Sequence, residues 1–203
     1  DFEKSGEQAY VIPGNHDVNN SKGLQFLKNN TRRAKDISAK EFSEVYSAFG
    51  YSEAFSRDKN SLSYAVEPLP GIVLLCLDTA QWKRNRGYPF IYTPVEGRIK
   101  NDTFRWAEKI LAGAGKHGKE VYAVHHHPLD EEFIDYGRVI ELYKKYNVRL
   151  AVAGHRHKFM ISHADDLPML IAPNLSLKPG NALEIIISGD KASAVRNPYN
   201  FSE

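Results

Sequence analysis

Val121-Tyr122-Ala123-Val124-His125-His126-His127-Pro128 is the stretch that decides the fold. An unbroken apolar run meets three histidines and a proline, with no polar alternation before them. A half-wet strand alternates polar and apolar residues; a continuous run of this kind reads as a strand covered on both faces, as in parallel sheets flanked by helices. The pattern returns where Leu150-Ala151-Val152-Ala153 enters Gly154-His155-Arg156-His157, and where Val11-Ile12 leads to Gly14-Asn15-His16-Asp17. Sites of open α/β sheets gather beyond the carboxyl ends of the strands. Imidazoles and an amide oxygen brought to one rim by three strands point to a metal site.

The elements around this stretch alternate. Residues 62–67 and 71–78 read as extended, joined by a turn from Pro68 to Gly71, and residues 8–13 read as a short strand. Ser38 with Glu41 three residues later is a capping box, and it opens a helix carrying Phe42, Val45, Tyr46 and Phe49 on one face, stopped by Gly50. A second helix is capped by Asp102 or Asn101 and a third covers 134–146, with strand 148–153 after it. Extended segments at 158–163, 169–172, 182–188 and 191–196 close the chain, the last two joined at Gly189-Asp190. Residues 1–6 read as the tail of a helix, and residues 18–37 and 80–98 as loops. Strand, helix, strand, helix, strand through the middle predicts an α/β layered fold in one domain spanning 1–203.

Bulk properties narrow the partners. With 203 residues, 42% hydrophobic and 26% charged, the chain has the composition of an ordinary globular domain. A formal charge of +2 gives no argument for a nucleic-acid polymer or an anionic membrane. No apolar run approaches the length of a membrane span. Cys76, the single cysteine, sits inside Ile72-Val73-Leu74-Leu75-Cys76-Leu77 and reads as a core thiol. The start, Asp1-Phe2-Glu3-Lys4, has no signal-peptide character, and the residues leave localisation open.

Two histidines one residue apart diverge on an extended backbone, whereas a tight loop turns both toward one centre. That arrangement suits two neighbouring ions, one imidazole to each. Nitrogen-rich sites take zinc, iron, manganese or nickel. An Asn ligand is neutral and leaves the ion more charge with which to polarise a substrate.

Gly-Asn-His-Asp, then His-His-Pro after a strand, then Gly-His-x-His resembles the calcineurin-like metallophosphoesterase superfamily. The stretch Phe42 to Tyr51, followed by Ser61-Leu62-Ser63-Tyr64, is similar to bacterial members related to cyclic-nucleotide phosphodiesterases. The resemblance implies a layered β-sandwich flanked by helices. It implies that Asn15, His126 and His155 ligate one metal, that His157 ligates another, and that His125 is not the ligand of the triple-His run. It further implies that His16 contacts the phosphate and protonates the leaving oxygen, with Asp17 orienting it. Arg156 has no fixed role in the family and reads either as a phosphate contact or as a plain surface arginine. The implied reaction is hydrolysis of phosphate esters, phosphodiesters above all, by water activated between two ions of manganese, iron or zinc.

Two motifs of that pattern are missing. The chain has no Asp-x-His, and its one Gly-Asp, Gly189-Asp190, falls after every other motif. These motifs carry the remaining first-metal ligands and the bridging carboxylate, so the expectation is a C-terminal two-thirds lacking the first strands. Such a piece is expected to hold one ion or none and to be weakly active unless a complementing amino-terminal fragment restores it. The alternative is a non-catalytic metal-binding module. A small phosphate ester or nucleotide is the expected substrate. Tyr88, Phe90 and Tyr92 are candidates to stack a base.

Overall fold

The computed structural model describes residues 8–20, 23–27, 30–85, 95–174, 180–188 and 191–199. The chain first forms a hairpin of β1 (Leu24–Leu27) and β2 (Asn30–Arg33), then helix α1 (Ala39–Val45), which passes into a π-helical turn at Ser47–Tyr51. Strands β3 (Ser56–Arg57), β4 (Tyr64–Leu69) and β5 (Ile72–Leu77) follow, then a 3-10 turn at Trp82–Arg84 and the short β6 (Gly97–Arg98). Helix α2 (Asn101–Lys116) leads to β7 (Glu120–His125), and β8 (Phe133–Ile134) precedes helix α3 (Tyr136–Lys145). The chain closes with β9 (Leu150–Ala153), β10 (Met160–Ala164), β11 (Leu167–Ile171), β12 (Gly180–Ser188) and β13 (Lys191–Tyr199).

Seven strands make the central sheet in the order β10-β11-β9-β7-β5-β4-β3. The pairs β11/β9, β9/β7 and β7/β5 are parallel, and the outer pairs are antiparallel. Strand β5 shows why its sequence has no polar residue. Val73, Leu75 and Leu77 face one side, where α2 and α3 deliver Leu111, Ala114, Val139 and Tyr143. On the other side Cys76 joins Phe42, Tyr51 and Tyr64, while Ile72 and Leu74 pack with Tyr122, Leu150 and Leu170. Ile185 of the β12/β13 hairpin rests on that last cluster, so the sheet is covered on both faces in the layered α/β arrangement expected.

The capping box forms as read: Ser38 Oγ accepts from Glu41 N at 3.2 Å and Glu41 Oε2 accepts from Ser38 N at 2.7 Å. The helix is shorter than its apolar pattern, and Val45 is 65% exposed. The π-helical turn intervenes because Gly50 adopts φ 107° with the Tyr64 ring against it; a Cβ there would lie 2.6 Å from Tyr64 Oη.

Three expectations need correction. The cap of α2 is Lys100, which makes no side-chain cap bond, and Asn101 and Asp102 lie inside the helix. Residues 8–13 are not a strand. Val11 gives its N–H to Phe49 O and its carbonyl to the Tyr64 hydroxyl, and Pro13 has no N–H, so this segment has little backbone left for a ladder. The 18–37 segment, read as a loop, contains the antiparallel pair β1/β2. Residues 1–6, the Gly189-Asp190 turn and Tyr88, Phe90 and Tyr92 lie outside the described residues.

Candidate metal centre

Parallel pairing puts the carboxyl ends of β5, β7 and β9 on one rim. Asp78-Thr79 leaves β5, His126-His127 leaves β7, and Gly154-His155 leaves β9, with Gly154 N donating to His126 O at 3.0 Å. The Gly14–Asp17 loop is carried to the same place without a strand. Its turn is closed by Asp17, whose Oδ2 accepts from Gly14 N at 2.6 Å. Glycine is required at 14: a Cβ would meet His126 Cε1 at 2.9 Å and Nδ1 at 3.1 Å.

Three side chains converge. Asn15 Oδ1 lies 3.1 Å from His126 Nε2, and His155 Nδ1 lies 3.3 Å from the same nitrogen. Asn15 is buried, and His126 and His155 are partly buried. Burial, reinforced by the neighbouring imidazoles, pushes His126 down to about 4. His155 is also shifted down, chiefly by burial. Both rings are therefore neutral at pH 7, the state in which an imidazole offers a lone pair to a metal.

Glu132 selects the tautomer of His155. Its Oε2 stands 3.5 Å from His155 Nε2, so a proton on Nε2 faces the carboxylate and Nδ1 keeps its lone pair toward His126. A carboxylate behind a ligating histidine is the usual second partner at such sites. Arg156 in turn fixes Glu132, donating to Glu132 Oε1 at 2.8 Å and to Asp130 Oδ2 at 2.7 Å. His155 and His157 both adopt left-handed backbone, with φ 66° and 58°. This tight loop replaces the extended geometry in which alternate side chains diverge. Residues held there tend to cluster at functional sites.

His127 joins the cluster and had no role in the sequence reading. Ligand atoms of His126, His127 and His155 all lie within 4.8 Å of one another. His127 Nδ1 shares a 2.8 Å hydrogen bond with Thr79 Oγ1, while its buried Nε2 has no protein partner. With the proton on Nδ1, Nε2 is free to serve a metal. Burial, followed by the adjacent imidazoles, pushes this ring down to about 2. His125 turns the other way: it is packed by Phe133 and Tyr143, and its Nδ1–H donates to His127 O at 2.7 Å. His16 and His157 are exposed, and both stand near enough to His126 to lower its pKa.

The donor set suits a transition metal: neutral nitrogens, one amide oxygen and a buried imidazole nitrogen without a partner. Asn15, His126 and His155 fit one ion, with His127 beside them.

The profile of the calcineurin-like phosphoesterase family matches residues 1–159, and the chain belongs to that family. No curated protein matches it in sequence. Among solved structures, a dimetal phosphatase from Danio rerio is similar at 12% identity and TM-score 0.45, over 55% of this chain and 49% of that one. GAP50, the anchor in the inner membrane complex of Plasmodium, is similar at 17% identity and TM-score 0.36, over 52% of this chain and 33% of that one. The similarity thus spans about half of the first protein and a third of the second.

Proposed function

We propose that this chain is the metal-binding part of a phosphoesterase that hydrolyses phosphodiesters, and that Asn15, His126 and His155 hold an ion of manganese, iron or zinc. The observation that carries the reading is the meeting of Asn15 Oδ1 and His155 Nδ1 on His126 Nε2, at 3.1 and 3.3 Å. Membership of the family supports the reaction class. When bound, the metal supplies Lewis acidity toward a phosphoryl oxygen and lowers the pKa of a water.

The protein's own groups divide the remaining work. Glu132 keeps the His155 proton on Nε2. His16, exposed on the loop beside Asn15, donates a proton to the departing oxygen. Asp17 shapes that loop through its bond to Gly14 N. Arg156, engaged with Asp130 and Glu132, acts by holding Glu132 in place.

A second reading is a non-catalytic module with one ion. It is favoured by the ligand count, because His157 is the one group in the sequence reading left for a second metal. Two close dications without an anionic bridge repel strongly. Titration with manganese or zinc, with bound metal counted by mass spectrometry and bis(4-nitrophenyl) phosphate assayed in parallel, separates the two. Turnover abolished by N15A and H126A supports the esterase. One tightly held ion without turnover supports the module, and no tight metal at all overturns both.

A further inference from the structure

A second cleft is lined by none of the residues of the metal centre. After β5 the chain alternates: Asp78 and Ala80 line this cleft, while Thr79 between them turns its hydroxyl to His127. The cavity measures about 180 Å³, the share of roughly six waters at about 30 Å³ each. Lys83 and Arg84 of the 3-10 turn, Arg98 of β6, and Lys100 at the cap of α2 line it. Trp82 forms an apolar wall, its ring fixed by a 2.8 Å bond from Nε1 to Asp78 Oδ2.

The charges are unbalanced. Among the described residues Asp78 is the one carboxylate in the lining, and it is buried and already accepts from Leu62 N, Ala80 N and Trp82 Nε1. Among the described residues no carboxylate forms an ion pair with Lys83, Arg84, Arg98 or Lys100. Lys83 instead sits 5.4 Å over the Trp82 ring. Lys100 is held below its ordinary pKa by burial and then by Lys83, against a smaller opposing pull from Asp78. Elements as separate as a 3-10 turn, a strand and a helix cap thus bring four exposed cationic residues to the lining of one cavity beside an indole, with Arg84 also donating to Gln81 Oε1 at 3.1 Å.

We propose that this cleft is an anion site separate from the metal centre, taking the phosphate group of a small organic phosphate whose apolar part lies on Trp82. Arg98 grips the phosphate with its planar fork and the lysines add point charge. The site goes beyond the esterase reading and does not depend on it, because binding here requires no metal.

The test is isothermal titration calorimetry on the full chain in EDTA at low salt, with phenyl phosphate and with inorganic phosphate as probes. Both probes are expected to bind, phenyl phosphate more tightly. R98E and K100E are expected to weaken each by about tenfold or more, as loss of charge-assisted hydrogen bonds implies. H126A, at the metal centre, leaves binding unchanged, and circular dichroism confirms that each variant is folded. The proposal is overturned if neither probe binds, if R98E and K100E bind as the parent does, or if H126A abolishes binding. Equal affinity for the two probes removes the role of Trp82.

Discussion

Glu132 Oε2 stands 3.5 Å from His155 Nε2, while the other ring nitrogen, Nδ1, meets His126 Nε2 at 3.3 Å. The carboxylate is itself pinned by Arg156. On the proposed ligand set, metal affinity is expected to depend on a residue that would not touch the metal. E132A is expected to lower zinc or manganese affinity by about 10–100-fold, the usual cost of losing such a partner, while leaving the thermal midpoint of the metal-free protein nearly unchanged. Competition with a coloured chelator measures it, and an E132A affinity equal to the parent's would remove Glu132 from the site.

Gly14 carries the ring of His126 against its backbone. The methyl of G14A lies within 2.9 Å of Cε1 and must displace the imidazole. We expect metal affinity to fall by about tenfold or more, as when a ligand's support is lost. Chelator competition again decides, and an unchanged affinity would show that the loop shifts freely.

Gly97 tests packing rather than ligation. A Cβ there would sit 2.5 Å from His127 Cβ and 2.8 Å from Phe133 Cδ2, both buried. G97A is expected to destabilise the fold by about 1–3 kcal/mol, as overpacking does. Urea unfolding of parent and variant gives the value, and an unchanged midpoint would contradict this packing.

Asp78 gives a pH signature. Burial raises its pKa above the ordinary carboxylate value and outweighs the N–H donors around it. The folded state then holds the proton to higher pH than the unfolded chain does. Its share of stability is full below the ordinary carboxylate pKa and is lost as pH rises through the raised value. The stability difference between parent and D78N, followed by urea unfolding, should shift against the parent as pH rises through that window. A difference independent of pH would sink the assignment.

The capping box offers a control outside the proposed ligand set. Ser38 Oγ accepts from Glu41 N and Glu41 returns a bond to Ser38 N, so S38A should cost about 1 kcal/mol. Metal affinity should not move. A change in affinity would mean that α1 and the site are coupled.

What could be read before the structure follows from where the information lies. β5, β7 and β9 were legible because strands covered on both faces must be apolar throughout. Ser38 and Glu41 were legible because a capping box is local chemistry at fixed spacing. Val11-Ile12 misled, since apolar residues also serve a segment packed beside a sheet, and Val11's backbone is taken up by Phe49 and the Tyr64 hydroxyl. The β1/β2 hairpin was missed because its second strand, Asn30–Arg33, is polar and exposed throughout. At the site, Asn15, His126 and His155 announced themselves by motif. His127 and Glu132 did not, because their roles rest on Thr79 and on the return of β9, contacts set by tertiary packing.

Asn15 and His126 are separated by 111 positions along the chain, yet their ligand atoms come within 3.1 Å. Closing so long a loop costs entropy that is recovered only when the intervening strands have docked. A refolding chain should therefore acquire its metal in the last kinetic phase, after helix formation is complete. Cation capture would serve as a clock for the end of folding rather than as its trigger.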